Sequence, residues 1–213
     1  MKTIKGIWRF SRVICYTFVC LFQAYTRFKR VDRKEKGRML RYYPTQVLKL
    51  AGVRCSYEGN VPELLHECGL TDTPPAYMVL SNHISWLDIF SLDSQLPSRF
   101  IAKAEIAKWP VFGLIAQQIG TLFINRSSKR AILRINDDIR GALCNCEAVT
   151  IFAEGTTTFG NELLPIKANF IAPACEIGAT VQPVILSYKN KGKPTKRAAF
   201  AGDVTLFGSL WNV

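Results

Sequence analysis

Short apolar runs alternate with amphipathic stretches along most of this chain, and the alternation predicts a sheet fed by helices. Residues 77–80, 99–103, 121–124, 149–153 and 181–186 are rich in Val, Ile, Leu and Phe. They are too short for helices and are bounded by turn residues, as strands buried on both faces are. Between them, 86–95, 111–119, 127–144 and 170–177 carry apolar positions at helical spacing. A further strand is expected at 53–57. Residues 58–76, with Gly59, Pro62, Gly69, Pro74 and Pro75, have the punctuation of a loop. The expected fold class is α/β, a mixed, mostly parallel sheet flanked by helices. Two longer stretches come first: 3–28 as one apolar helix, and 33–50 as a second, with Pro44 inside or ending its first half. The chain therefore divides into a helix pair at 1–50 and an α/β domain at 51–213. An apolar stretch at 204–210 runs into Trp211-Asn212-Val213 with no C-cap or terminating turn, the pattern of a chain cut short.

A length of 213 residues suffices for one α/β domain with its own core, and no internal repeat is evident. Charge changes the picture of the first quarter. Residues 1–50 hold 13 Lys and Arg against Asp32 and Glu35, so all but +1 of the net charge of +12 lies there. An anionic partner is implied, nucleic acid or a membrane. Composition favours the membrane. Trp8, Phe10, Phe18, Phe22 and Tyr25 crowd the same segment, with Arg9 and Arg12 before the apolar stretch 13–25 and Arg27, Lys29 and Arg30 after it. Aromatic anchors beside cations suit a helix lying in an anionic lipid interface, with Trp8, Arg9, Arg12, Arg27, Lys29 and Arg30 as docking residues. The stretch falls short of the ~20 residues that span a bilayer. A spanning helix with snorkelling arginines, or a core helix with a solvated charge run, are the alternatives. No nucleic-acid partner is expected. Seven cysteines, an odd number without zinc or disulfide spacing, read as reduced and mostly buried thiols. The expected place is a membrane, at the cytoplasmic face of the inner or plasma membrane.

Candidate chemistry centres on Ser81-Asn82-His83-Ile84-Ser85-Trp86-Leu87-Asp88. With only His66 and His83 in the chain, a histidine base is nearly settled by inventory. On a regular helix, side chains five residues apart point ~140° away from each other. His83 and Asp88 can meet if His83 lies in the turn before a helix, capped by Asn82 or Ser85, that begins near Trp86, with Asp88 in its first turns. A carboxylate on one imidazole nitrogen would fix the tautomer and leave the other nitrogen to take a proton from a hydroxyl. The plainer alternative is a histidine cap with an acid in the first turn, favoured by the helix dipole.

Three further polar clusters follow apolar runs: Gly120-Thr121-Leu122-Phe123-Ile124-Asn125-Arg126, Phe152-Ala153-Glu154-Gly155-Thr156-Thr157-Thr158, and Gln182-Pro183-Val184-Ile185. Arg126 suits a phosphate held by a bidentate fork, although a single arginine is more often a plain surface residue. A Thr-rich turn is likewise an ordinary feature. In open α/β sheets, ligands bind beyond the carboxyl ends of strands, so several polar clusters at such ends point to one site. Gly-x-Ser-x-Gly, Walker and dinucleotide-binding motifs are absent from the sequence.

Taken in order, these runs resemble the lysophospholipid and glycerolipid acyltransferase family, of the 1-acyl-glycerol-3-phosphate acyltransferase type, over about residues 53–190. Asn82-His83-x4-Asp88 is similar to its first block, 120–126 to its second, 152–156 to its third and 182–185 to its fourth. Lys103-Ala104-Glu105 and Trp109-Pro110-Val111-Phe112-Gly113 resemble the segment between the first two blocks. The resemblance implies an enzyme in which His83, oriented by Asp88, deprotonates the hydroxyl of a lyso-lipid, which attacks the thioester of acyl-CoA or acyl-carrier protein. It implies no metal or other cofactor. Arg126 would grip the acceptor phosphate, Glu154, Gly155 and Thr156 would position the head group, and Lys103 would contact substrate. Two positions depart from the family pattern. Thr157 stands where its third block has arginine, and Ala168 or Asn169 where a glycine follows the lysine. Lysophosphatidate is the expected acceptor. A lyso-ornithine lipid or lysophosphodiester, or a non-catalytic lipid-binding relative, are the alternatives.

Overall fold

The computed structural model describes residues 2–59, 76–125, 128–202 and 208–209. His66, Cys68, Arg126 and the apolar stretch at 204–207 lie outside the described residues, as does nearly all of the loop expected at 58–76.

Helix α1 (Lys2–Gln23) runs into a π-helical turn (Ala24–Phe28), and α2 follows (Arg33–Ala51). Asp32 caps α2, its carboxylate accepting from Glu35 N at 2.7 Å, with Glu35 itself in the first turn. Gly52 ends α2 at φ +77°; a Cβ there would lie 2.8 Å from the Arg9 guanidinium carbon, so the cap also lets α1 close on α2.

Next come β1 (Tyr77–Ser81), α3 (Leu87–Asp93), β2 (Arg99–Lys103), α4 (Phe112–Gln118), β3 (Leu122–Ile124), α5 (Lys129–Cys144), β4 (Val149–Phe152), α6 (Ala172–Glu176) and β5 (Thr180–Val184). The five strands form one sheet in the order β3-β2-β4-β1-β5, and every pair in it is parallel. The expected mixed character is confined to a separate antiparallel hairpin, β6 (Lys189–Asn190) with β7 (Lys193–Pro194). The reason is connectivity: each step within the sheet passes through a helix, which returns the chain to the same end. Pro183 is tolerated because β5 is an edge strand.

The strand expected at 53–57 does not form. This segment turns away over α3, where the Tyr57 hydroxyl lies 3.0 Å from Ser94 Oγ, and both flanks of β1 are already taken. The core has a layer on each face of the sheet. Met78, Ile135, Ile139, Leu143 and Val149 fill one, and Tyr77, Val79, Leu92, Phe100 and Phe152 the other. A third cluster joins Val13, Val47, Leu48 and Ala51 of the first two helices to Trp86, Leu87 and Ala198. Those helices thus share a core with the α/β body. The six described cysteines are free, and Cys15, Cys55, Cys144 and Cys175 are exposed, contrary to the expected burial. They fall on outward helix sides and in the irregular segment after α2.

Candidate active site

Register builds the site. Ser81 of β1 lies beside Phe152 of β4, so the residues two places beyond each strand end, His83 and Glu154, leave the sheet together. Glu154 Oε1 accepts from His83 N at 2.9 Å, and Thr158 N donates to His83 O at 2.8 Å. The loop after β4 therefore grips the histidine backbone on both sides. On the other flank, Ser81 pairs with Val184. There the Asn82 side chain bonds Leu186 twice, donating to its carbonyl (3.1 Å) and accepting from its amide (2.7 Å). Asn82 fastens β5 rather than capping α3. Ser85 is not the cap either: Trp86 holds the N-cap place without a side-chain capping bond, and the Ser85 hydroxyl one residue earlier accepts from Leu87 N at 3.3 Å.

In this turn, His83 Nδ1 meets Asp88 Oδ2 at 2.8 Å. Oδ2 also accepts from Ile84 N (2.6 Å) and Ser85 N (2.8 Å), and Oδ1 accepts from the Tyr188 hydroxyl at 2.6 Å. An oxygen already accepting two amide protons acts as an acceptor, so Nδ1 carries the hydrogen and Nε2 keeps its lone pair. The ring stacks on Phe152, with centroids 3.9 Å apart and planes inclined by 11°. Asp88 is fully buried, whereas the His83 side chain is 20% exposed. The result is a fixed imidazole offering one basic nitrogen. Tyr188 escaped the sequence reading. It lies three residues past the fourth polar run with no local motif, and only the rule of strand carboxyl ends pointed near it. Burial and the adjacent Asp88 push its phenol far up, so it stays a donor.

His83 opens on a cavity of about 650 Å³ lined largely by apolar side chains. Helix α1 and its π-helical turn contribute Cys20, Ala24 and Phe28, α2 contributes Met39 and Tyr43, and the segment before α4 with the first residue of that helix contributes Ile106, Trp109 and Phe112. Val111 shapes that last wall with a backbone of φ +63° and ψ −61°. This γ-turn, with Phe112 N donating to Pro110 O at 2.7 Å, is strained for a β-branched residue. Gly113 is needed beside it, because a Cβ would lie 2.5 Å from Ile106 O.

Of the residues expected in the site, His83, Lys103, Gly155 and Thr156 line this cavity. Glu154 is buried beneath it, its second oxygen accepting from Leu164 N at 3.0 Å. Both of its oxygens thus hold backbone. Arg126 lies outside the described residues. Thr157 donates to the Phe200 carbonyl, tying the loop after β4 to the 198–201 segment.

Asp93, at the end of α3, also lines the cavity; it is 2% exposed, and burial holds its carboxyl well above the usual carboxylate range. A folded-state pKa above the unfolded one means that the group's stabilising contribution is complete below the ordinary aspartate range and is lost as pH rises. Asp93→Asn is therefore expected to match the parent in Tm near pH 4 and to exceed it at pH 8, by about 2–4 °C for each kcal/mol recovered. Thermal scans across pH check this, and a constant offset would refute it.

No described helix is long and apolar enough to cross a membrane. Helix α1 with its π-helical turn is nonetheless apolar on two sides: Val13 and Ala24 are buried, while Trp8, Phe18, Phe22 and Tyr25 are about half exposed or more. Of the six expected docking residues, Arg12 lies 4.1 Å from the centre of the Trp8 ring, Arg9 packs on Gly52, and Arg27 pairs with Glu35 at 2.8 Å. Lys29 and Arg30 are exposed.

A family model described as Acyltransferase matches residues 55–187. A 1-acyl-sn-glycerol-3-phosphate acyltransferase of Neisseria gonorrhoeae is 44% identical over 141 residues, covering 66% of this chain and 55% of the relative. A lyso-ornithine lipid O-acyltransferase of Pseudomonas aeruginosa is 41% identical over 131 residues, covering 62% and 50%. The chain thus spans about half the length of these two relatives. The crystal structure of a 1-acyl-sn-glycerophosphate acyltransferase from Thermotoga maritima shares the fold, with a TM-score of 0.61 at 17% identity over 87% of this chain and 84% of that one. With the match running from just after α2 to just past β5, across the sheet and the whole His83 turn, the chain belongs to the Acyltransferase family.

Proposed function

We propose that this protein transfers a fatty acyl group from a thioester, acyl-CoA or acyl-carrier protein, to the free hydroxyl of a lyso-lipid. The observation that carries the reading is the Asp88-oriented His83, its free nitrogen opening on an apolar cavity of about 650 Å³. In the mechanism, Nε2 takes the acceptor's hydroxyl proton as its oxygen attacks the thioester carbonyl. The tetrahedral intermediate collapses with loss of thiolate, which recovers the proton from the imidazolium. Asp88 stabilises that imidazolium without leaving its bonds to Ile84 and Ser85. The acceptor hydroxyl is itself the nucleophile, so no acyl-enzyme is required. The apolar cavity takes the acyl chain, and the strand-end loops carrying Lys103, Gly155 and Thr156 face the polar parts of the substrates.

Lysophosphatidate is the proposed acceptor, giving phosphatidate. One observation favours a second reading, a lyso-ornithine lipid: Thr157 holds Phe200 where a second phosphate-binding cation would stand. The half-exposed aromatic side of α1, with Lys29 and Arg30 close by, supports docking on an anionic leaflet at the cytoplasmic face. The test is transfer by the full-length protein from acyl-CoA and acyl-carrier protein to lysophosphatidate, lyso-ornithine lipid and a lysophosphodiester. Preference for lysophosphatidate supports the first reading, and transfer to the ornithine lipid alone moves the assignment to the second. Transfer to none, from protein that still co-sediments with anionic liposomes, favours a non-catalytic lipid-binding relative.

A further inference from the structure

Asp93 has no part in this chemistry, yet its burial and position single it out. Asp93 lines the same cavity as His83, and the one hydrogen bond of its side chain among the described residues is accepted by Oδ1 from Ser98 N at 3.1 Å. The Ser98 hydroxyl is itself engaged, with Ser98 Oγ and Thr150 Oγ1 bonded to each other at 2.6 Å. Oδ2 is thus left without a hydrogen bond among the described residues. Burial favours the uncharged carboxyl, which carries an O–H donor beside its acceptors, and Ile89, Phe90 and Phe100 line the same cavity. A phosphate or ammonium group would be poorly solvated there, whereas an alcohol can both accept from the acid and donate back to it. Five residues apart on α3, Asp88 and Asp93 are separated by about 7.5 Å of rise and ~140° of rotation, which together put Asp93 well beyond the first carbons of a chain whose carbonyl sits at His83.

We propose that Asp93 is a polar station within the cavity that selects acyl chains bearing a mid-chain hydroxyl. This rests on the reading of the cavity as the acyl-chain chamber. The full-length enzyme is offered stearoyl-CoA, 3-hydroxystearoyl-CoA and 10-hydroxystearoyl-CoA in competition. The 10-hydroxy donor is expected to be favoured over stearoyl about fivefold to tenfold in kcat/KM, the value of one buried hydrogen bond, and the 3-hydroxy donor to gain nothing. Asp93→Leu should reverse the preference. Asp93→Asn, which retains a donor and an acceptor, should keep part of it and guards against a Leu variant that fails to fold. Transfer of stearoyl with no advantage for the 10-hydroxy chain would overturn the proposal and leave acyl transfer standing. If no donor reacts, displacement of a fluorescent fatty acid decides: tighter binding of 10-hydroxystearate than stearate, lost in Asp93→Leu, supports the station, and equal binding overturns it.

Discussion

His83→Ala is expected to cut acyl transfer about 10³-fold in kcat, the scale of a lost general base, while the protein stays folded. The imidazole offers the cavity its Nε2 lone pair, because Nδ1 is committed to Oδ2 at 2.8 Å. Removing the ring does not strand Asp88, whose oxygens keep Ile84 N, Ser85 N and the Tyr188 hydroxyl. A buried carboxylate left with three donors avoids the large penalty of an uncompensated charge. The Tm should therefore fall by only a few degrees, mostly through the lost stacking on Phe152. Tyr188→Phe gives the matched contrast. It removes one donor from Asp88 and leaves the His83 contact, so kcat should fall about tenfold or less, the worth of one charge-assisted hydrogen bond. Initial rates with saturating donor and acceptor separate the two variants. A His83→Ala protein keeping a tenth of the parental rate would remove His83 from the role of base.

Glu154→Ala is expected to damage stability and activity together. Its two oxygens accept the amides of His83 and Leu164, and the side chain is 4% exposed. Truncation leaves two part-buried amides without their partner, at up to about 1–3 kcal/mol each, which for a chain of this size lowers Tm by roughly 5–15 °C. The His83 backbone loses one of its two clamps, and a displaced base costs about 10²-fold in rate. Glu154→Gln keeps one accepting oxygen and should fall between. The informative measurement is kcat against acceptor KM for several head groups, beside Tm. If Glu154 acts by holding the turn, kcat and Tm fall and the loss is the same for every acceptor. If it instead binds the head group directly, KM rises selectively and Tm stays put.

Much of this architecture was legible in the chain. The strands at 77–80, 99–103, 121–124 and 149–153 and the helices between them appear within a few residues of where apolar spacing put them. Buried parallel strands leave a strong signal, because both faces must be apolar. The five-residue separation of His83 and Asp88 also carried its own geometry, since a turn followed by a helix start can bring the pair together. The strand expected at 53–57 failed for the opposite reason. Its local pattern was adequate, but a strand needs a free edge, and neighbours far along the chain had taken the flanks of β1. The buried thiols failed similarly, because helix periodicity does not say which side faces the core.

By itself, then, the sequence determined the alternation of elements, the basic and aromatic front end, and the histidine and carboxylate that a turn brings together, all consequences of local spacing and side-chain type. Tertiary structure alone decided which groups from distant segments meet there. Tyr188 reaches Asp88 from 100 residues away, Glu154 reaches His83 from 71, and α1 and α2 close over a sheet that begins at Tyr77. Strand order and register set those meetings. They arise from how all five strands and their helices pack at once, which no local window of sequence encodes.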